Sequence, residues 1–133
     1  MADAFTKVGI GARYALAAVR GVNGVATLFA PKWFARRAGL DPDKNPAAIY
    51  VLRLFGVRTI YLAGELLLKR GPHLDDALIV APVVHASDAL SAAAAGRAGL
   101  LGARQARTGT IISSFNFAFA VLAFLTRPRS GGR

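Results

Sequence analysis

The chain contains no cysteine, which excludes a disulfide framework, thiol catalysis and thiolate-bound metal. Histidine is scarce too, with only His73 and His85 present. Metal centres need several converging ligands, so no metal site and no cofactor is expected. No serine lies in a nucleophile motif, and no catalytic residue is assigned. Acidic residues number 7 against 17 lysines and arginines, a formal net charge of +10. Charged residues of both signs make up only 18% of the chain, while 54% of it is hydrophobic.

That balance is hard to reconcile with a water-soluble body. A chain of 133 residues is one domain, too short for two ordinary ones. A small soluble domain has much surface for its volume and must cover it with polar groups. Here the apolar residues exceed what a core of this size can hide, and lipid is the simpler partner for the excess. A basic nucleic-acid binder would gather its cations on one face and keep the rest of its surface soluble. In this chain the cations fall between apolar runs instead: Lys32, Arg36 and Arg37; Lys69 and Arg70; Arg97, Arg104 and Arg107; Arg127, Arg129 and Arg133. Cations in such places contact anionic headgroups. The expected partner is a bilayer with anionic headgroups, and no nucleic acid.

Four apolar runs are long enough to cross a bilayer as helices, which takes about 20 residues. They cover about 8–30, 47–68, 75–95 and 109–126. The first ends at Pro31, where Lys32, Trp33, Arg36 and Arg37 read as interfacial anchors. Its internal Arg13, Arg20 and Asn23 argue against a cleavable signal peptide. The segment 35–46 is rich in turn formers and reads as a loop. Gly71-Pro72 reads as the stop of the second run. Asp75-Asp76 suits the start of the third, which carries an internal Pro82. The Gly- and Arg-rich stretch 96–108 reads as a loop, and the tail Ser130–Arg133 as disordered. Short loops between the runs imply antiparallel neighbours. The expected fold is all-α: one integral membrane domain over 1–133, a four-helix up-down-up-down bundle. Both termini then lie on one side. Cations nearly tie between the two ends, and the Asp41 loop is the easier to export, which favours cytoplasmic termini.

Charges within a span cost about 2.5–3.5 kcal/mol each on insertion scales. Arg13 and Arg53 lie near span ends and can snorkel. Arg20, Arg58, Glu65, His85 and Asp88 form the candidate site, as a ligand-binding or ion-pair network inside the membrane. Helical spacing puts Arg13, Arg20 and Thr27 on one stripe, Arg58 with Glu65 on another, and His85 beside Asp88. Arg20 or Arg58 is expected to pair with Asp88 or Glu65. Such a network either fixes which helix faces meet or lines a polar cavity, where His85 beside Asp88 suits a proton relay. Glycines and alanines recur in the runs and allow close helix approach. Asn116 among phenylalanines marks an inward face on the last run.

The string Arg53-Leu54-Phe55-Gly56-Val57-Arg58, continuing to Leu62-Ala63-Gly64, resembles the R-x-x-G-x-R-x-x-x-x-x-G core of a family of small bacterial membrane proteins known only as a domain of unknown function. His85-Ala86-Ser87-Asp88-Ala89-Leu90 is similar to its D-x-x-D-A segment, with His85 in place of an acidic residue. Pro31 and Arg36-Arg37-Ala38-Gly39-Leu40 fit its first loop. The resemblance runs from about residue 20 to 96. It implies a four-helix fold and brings no known activity.

The expected function is a non-enzymatic accessory or stabilising subunit of a larger membrane complex, such as a transporter or respiratory assembly, or a homo-oligomer. The alternative is an intramembrane lipid- or quinone-binding protein, or a small membrane enzyme built on the Arg/Glu/His/Asp cluster. The expected location is the bacterial inner membrane, with several spans. The untagged protein should sediment with membranes, resist extraction by high salt and alkaline carbonate, and enter solution only with detergent. Release by salt alone would return the basic surface to a soluble, nucleic-acid-type reading.

Overall fold

A computed structural model describes residues 2–127. The tail expected to be disordered, Ser130–Arg133, lies outside the described residues. Those residues form five helices and no strand: α1 (Ala2–Phe29), α2 (Pro31–Arg37), α3 (Pro46–Leu68), α4 (Gly71–Arg97) and α5 (Ala103–Leu125). The protein is all-α, as expected.

Local chemistry sets the breaks. Proline restricts the residue before it, and Ala30 leaves helical geometry at φ −126° just ahead of Pro31. Pro31 then opens a second, seven-residue helix, because its missing N–H is no loss in a first turn. After α2, Gly39 adopts φ +80°. The Leu40 N–H reaches the Ala35 carbonyl at 2.8 Å and the Gly39 N–H reaches Arg36 at 3.0 Å. This pair of bonds caps the helix end and needs a left-handed residue, which glycine supplies without strain. Gly99 repeats the arrangement at the end of α4. Between α2 and α3, the Asp41 carboxylate accepts from the Asp43 N–H at 3.1 Å, and the Asn45 side chain caps α3 through the Ala48 N–H.

Several expected boundaries move. α1 begins at Ala2 and not near 8, and 31–37 is helical where a loop was expected from 35. Gly71-Pro72 opens α4 instead of closing the second run, so Lys69-Arg70 alone joins α3 to α4. The reason is that glycine followed by proline serves a helix start as well as a stop. α4 continues through Pro82 as one helix to Arg97, and α5 starts at Ala103. The loop expected over 96–108 shrinks to 98–102, and Arg104 and Arg107 become helical. Arginine has good helix propensity, so a run of arginines is no loop signal.

The long helices neighbour one another in a ring, α1 beside α3, α3 beside α4, α4 beside α5 and α5 beside α1. Gly24 lies against Gly56 and Ile60, and Gly56 against Leu28, so α1 and α3 run antiparallel. Gly109 faces Ala92 in the same sense between α5 and α4. The core between them is Leu16, Leu66 and Leu78 set among alanines, including Ala12, Ala17, Ala120 and Ala123. Small residues let the backbones approach closely, so the interior is thin. Asn116, Ala120 and Ala123 face inward on α5, whereas Phe115 and Phe117 are exposed.

Apart from the three core leucines, many large apolar side chains point outward. Phe29, Tyr50, Leu68, Val83, Leu90 and Leu125 are all exposed. α4 and α5 are long and apolar enough to cross a membrane, and only 22% and 11% of their apolar stretches are buried. The core helix of a water-soluble protein has the opposite distribution, with its apolar stretch covered.

The α1–α3 crossing gives a direct test. A methyl group on Gly56 would stand 2.8 Å from the Leu28 nitrogen and 2.9 Å from the Gly24 carbonyl oxygen, both backbone atoms that cannot step aside. Gly56→Ala is expected to destabilise the protein by about 1–3 kcal/mol. Gly64 has open space at the same position, so Gly64→Ala should be neutral or stabilising by up to about 1 kcal/mol. Unfolding of the detergent-solubilised variants measures both, and equal effects would contradict the close crossing.

Candidate functional site

The stripe Arg13–Arg20–Thr27 on α1 turns wholly inward, with exposures of 8%, 3% and 0%. Thr27 satisfies its hydroxyl locally by donating to the Asn23 carbonyl at 2.8 Å. Arg13 does not snorkel outward as expected. Its guanidinium is buried and lies 4.8 Å from the centre of the Tyr14 ring, a cation–π contact.

Arg20 extends across the middle of the ring to His85 on α4, which is 1% exposed. One terminal nitrogen of Arg20 lies 3.1 Å from His85 Nδ1 and also contacts Nε2. A guanidinium has only donors, so the imidazole accepts through a ring nitrogen carrying a lone pair. The contact joins α1 and α4, which share no backbone proximity. Arg58 on α3 donates to both carboxylate oxygens of Asp88 on α4, at 2.8 and 2.9 Å. The expected pairing of Arg58 with Asp88 is therefore present. Arg58 also stands 5.4 Å from the centre of the Phe55 ring. This pair is not sealed. The Arg58 side chain is 45% exposed and that of Asp88 22%.

Glu65 joins neither pair. It binds Lys69 one turn along its own helix and accepts from the Tyr61 hydroxyl at 2.8 Å. The Glu65 carboxylate holds the Lys69 ammonium above the usual lysine range. Glu65 and Arg20 do line one narrow cleft, with Leu62, Leu66, Ala77 and Ala81. His85 and Asp88 are neighbours on α4, but their partners lie on different helices. His85 is engaged by Arg20 and Asp88 by Arg58.

Two features escaped the spacing argument. Thr59 on α3 is 2% exposed, and its hydroxyl has no hydrogen-bond partner among the described residues, as is true of Arg20 Nε and Arg13 Nε. Arg127 reaches Asp75 at 3.2 Å and lies over the Phe124 ring at 3.8 Å, tying the end of α5 to the start of α4. Helical periodicity describes a single helix and gives no signal for such a cross-helix clamp. The expected anchors Lys32, Trp33, Arg36 and Arg37 are all exposed on α2, while Pro31 and Ala35 turn inward. Asp43 lies 3.8 Å from Lys32 and 3.5 Å from Arg36. No group of three potential metal ligands converges among the described residues.

Comparison of the chain with family models, curated proteins and solved structures gives no match. The chemistry of the site is thus read from its geometry. Two polar contacts tie three helices together: α1 to α4 through Arg20–His85, and α3 to α4 through Arg58–Asp88. Removing one partner of an ion pair leaves the other charge unmatched, even where the pair is only partly covered, as Arg58–Asp88 is. Arg58→Leu and Asp88→Leu should each destabilise, and the double variant should lose less than the sum of the two. A coupling of about 0.5–1 kcal/mol is expected from a double-mutant cycle, since the pair is partly open. Strict additivity would show that the two side chains act independently.

Proposed function

We propose that the protein is a multi-pass membrane protein of the inner-membrane type, with α1, α3, α4 and α5 as four antiparallel spans, and that it works without catalysis. In this reading it is an accessory subunit that packs against a larger membrane assembly. Outward apolar faces on all four long helices support the membrane setting, since lipid is the solvent such faces fit. The proposed kinship with the small bacterial membrane proteins that share the R-x-x-G-x-R core agrees with four spans and adds no activity.

The observation that carries the partner reading is the open Arg58–Asp88 pair. Both residues sit near the middle of their helices, far from either end. An ion pair partly open at mid-span is costly against hydrocarbon. It becomes favourable when another protein segment covers it with polar groups. It lies at the seam between α3 and α4, beside the exposed Leu54, Val57 and Tyr61. This combination of apolar flank and polar centre suits a helix from a partner subunit.

The alternative, a lipid or quinone binder, draws on the cleft that Arg20 and Glu65 share. Its walls are Leu and Ala side chains from facing helices, and a headgroup-sized ligand requires them to part. The geometry therefore favours the subunit reading.

Capture at native expression in a gentle detergent should recover the chain with at least one further membrane protein. Replacing the pair by leucines (Arg58→Leu with Asp88→Leu) should leave a folded, monodisperse chain and release that partner. A native-level preparation that is monomeric with the pair intact would rule out the subunit reading.

A further inference from the structure

Two arginines of α1 are buried, and they are satisfied unequally. Arg20 donates to a ring nitrogen of His85. Arg13 is 8% exposed and has no acidic partner among the described residues, and its Nε has no hydrogen-bond partner there. What it does have is the Tyr14 hydroxyl at 3.5 Å, the outer limit of a hydrogen bond, and the face of the same ring. A covered guanidinium without an anion is strongly disfavoured.

Arg13 borders a cleft. Where α1, α4 and α5 meet, Arg13, Leu74, Leu78, Ala123 and Arg127 line a cavity of about 30 Å³. It reaches the surface beside Ile10, which also lines it and is 42% exposed. Leu74 and Leu78 belong to the first two turns of α4, so the cleft lies close to one end of the long helices. In a bilayer that is the depth at which headgroups give way to acyl chains.

Charge and size narrow what the cleft can take. Arg127 is matched by Asp75 at 3.2 Å and also donates to the Phe124 carbonyl. The unmatched charge is that of Arg13, and a single negative charge answers it. A water-sized group needs about 10–15 Å³ of such space, so about 30 Å³ holds the two oxygens of a carboxylate. A phosphate ester, with four oxygens, is too large. Guanidinium meets carboxylate through two parallel N–H donors. The rest of the wall is leucine, isoleucine and alanine, which suits a methylene chain and not a hydrated ion.

We propose that this cleft binds the carboxylate of a long-chain fatty acid, with Arg13 Nε donating to it, Arg127 beside it and the chain leaving past Ile10. The inference is independent of the subunit reading, since Arg58–Asp88 lies on the α3–α4 seam. It requires only that the long helices lie in lipid or detergent, which sedimentation and extraction test separately.

Protein in dodecyl maltoside micelles is titrated with dodecanoate carrying carbon-13 at the carboxyl. One saturable resonance is expected, separate from that of micelle-partitioned dodecanoate. It should stay ionised at a pH where the micelle pool has protonated, because a guanidinium in contact favours the carboxylate form. Arg13→Met should weaken binding by about tenfold or more. Without fatty acid the same variant should be at least as stable as the parent, because it removes an unmatched buried cation.

Absence of a saturable resonance overturns the proposal. So does a bound resonance that protonates together with the micelle pool, a result that needs no variant. Undiminished binding by folded Arg13→Met overturns it as well. Displacement by inorganic phosphate but not by chloride at matched ionic strength would mark a site for free phosphate. Displacement by phosphatidylglycerol as readily as by unlabelled dodecanoate would mark a phospholipid site. Either overturns the carboxylate assignment.

Discussion

Arg20 and His85 touch across the diagonal of the four long helices, and the rest of the arrangement is built around that contact. Neither α1 nor α4 reaches the other by backbone packing. Each is held to the side helices by small residues, and the Arg20–His85 bond joins it to its opposite across the shared core of Leu16 and Leu78. An arginine taken out of water needs an acceptor on the spot, because the cost of leaving it unpaired exceeds what a few alanine contacts supply. The face of α1 that carries Arg13, Arg20 and Thr27 therefore has one direction to point, and His85 sets the rotation of α4 to match. With α4 so rotated, Asp88 comes to the α3 seam, where Arg58 meets it.

The thin core follows from the same logic. Alanine and glycine line the crossings, and the larger side chains are displaced to the outside. In water such a body would expose far more apolar surface than a monomer tolerates. In lipid the outward leucines, valines and phenylalanines cost nothing, and the helices are held by close packing and hydrogen bonds in place of a hydrophobic core. A polar interior under an apolar exterior is one pattern, and its two halves make sense only together. The proposed role as a subunit extends it, since Arg58–Asp88 is the point where polar character reaches the outer surface.

Much of this could be read from the residues alone. The all-helical fold, the four long elements and the inward stripe on α1 follow from apolar run length and helical spacing, whereas Arg58–Asp88 is one of four arginine–carboxylate pairings that spacing leaves open. The readings that moved have local causes. Gly71-Pro72 is compatible with a helix end or a helix start, and only the neighbouring packing decides between them. Arg104 and Arg107 fall in a Gly- and Arg-rich stretch that reads as a loop, but arginine is a good helix former, and the glycines cluster before residue 103. Arg13 lies near the end of the apolar run but well inside α1, because the helix starts at Ala2, ahead of the run. Glu65 shares a face with Arg58, but Lys69 is nearer and takes its carboxylate. Arg20–His85 and the Gln105–Gly39 bond join positions 65 and 66 residues apart, a separation at which periodicity carries no information.

The central claim is that the outward apolar faces meet hydrocarbon while the polar contacts lie inside. Spin labels at single cysteines in bilayers test it most directly, by collision with oxygen, which concentrates in lipid, and with a polar nickel complex, which stays in water. Labels at Val83 and Phe115 should show high oxygen and low nickel accessibility, and labels at Leu78 and Ala120 should be shielded from both. High nickel accessibility at Val83 and Phe115 would mean that these faces meet water, and would contradict the account.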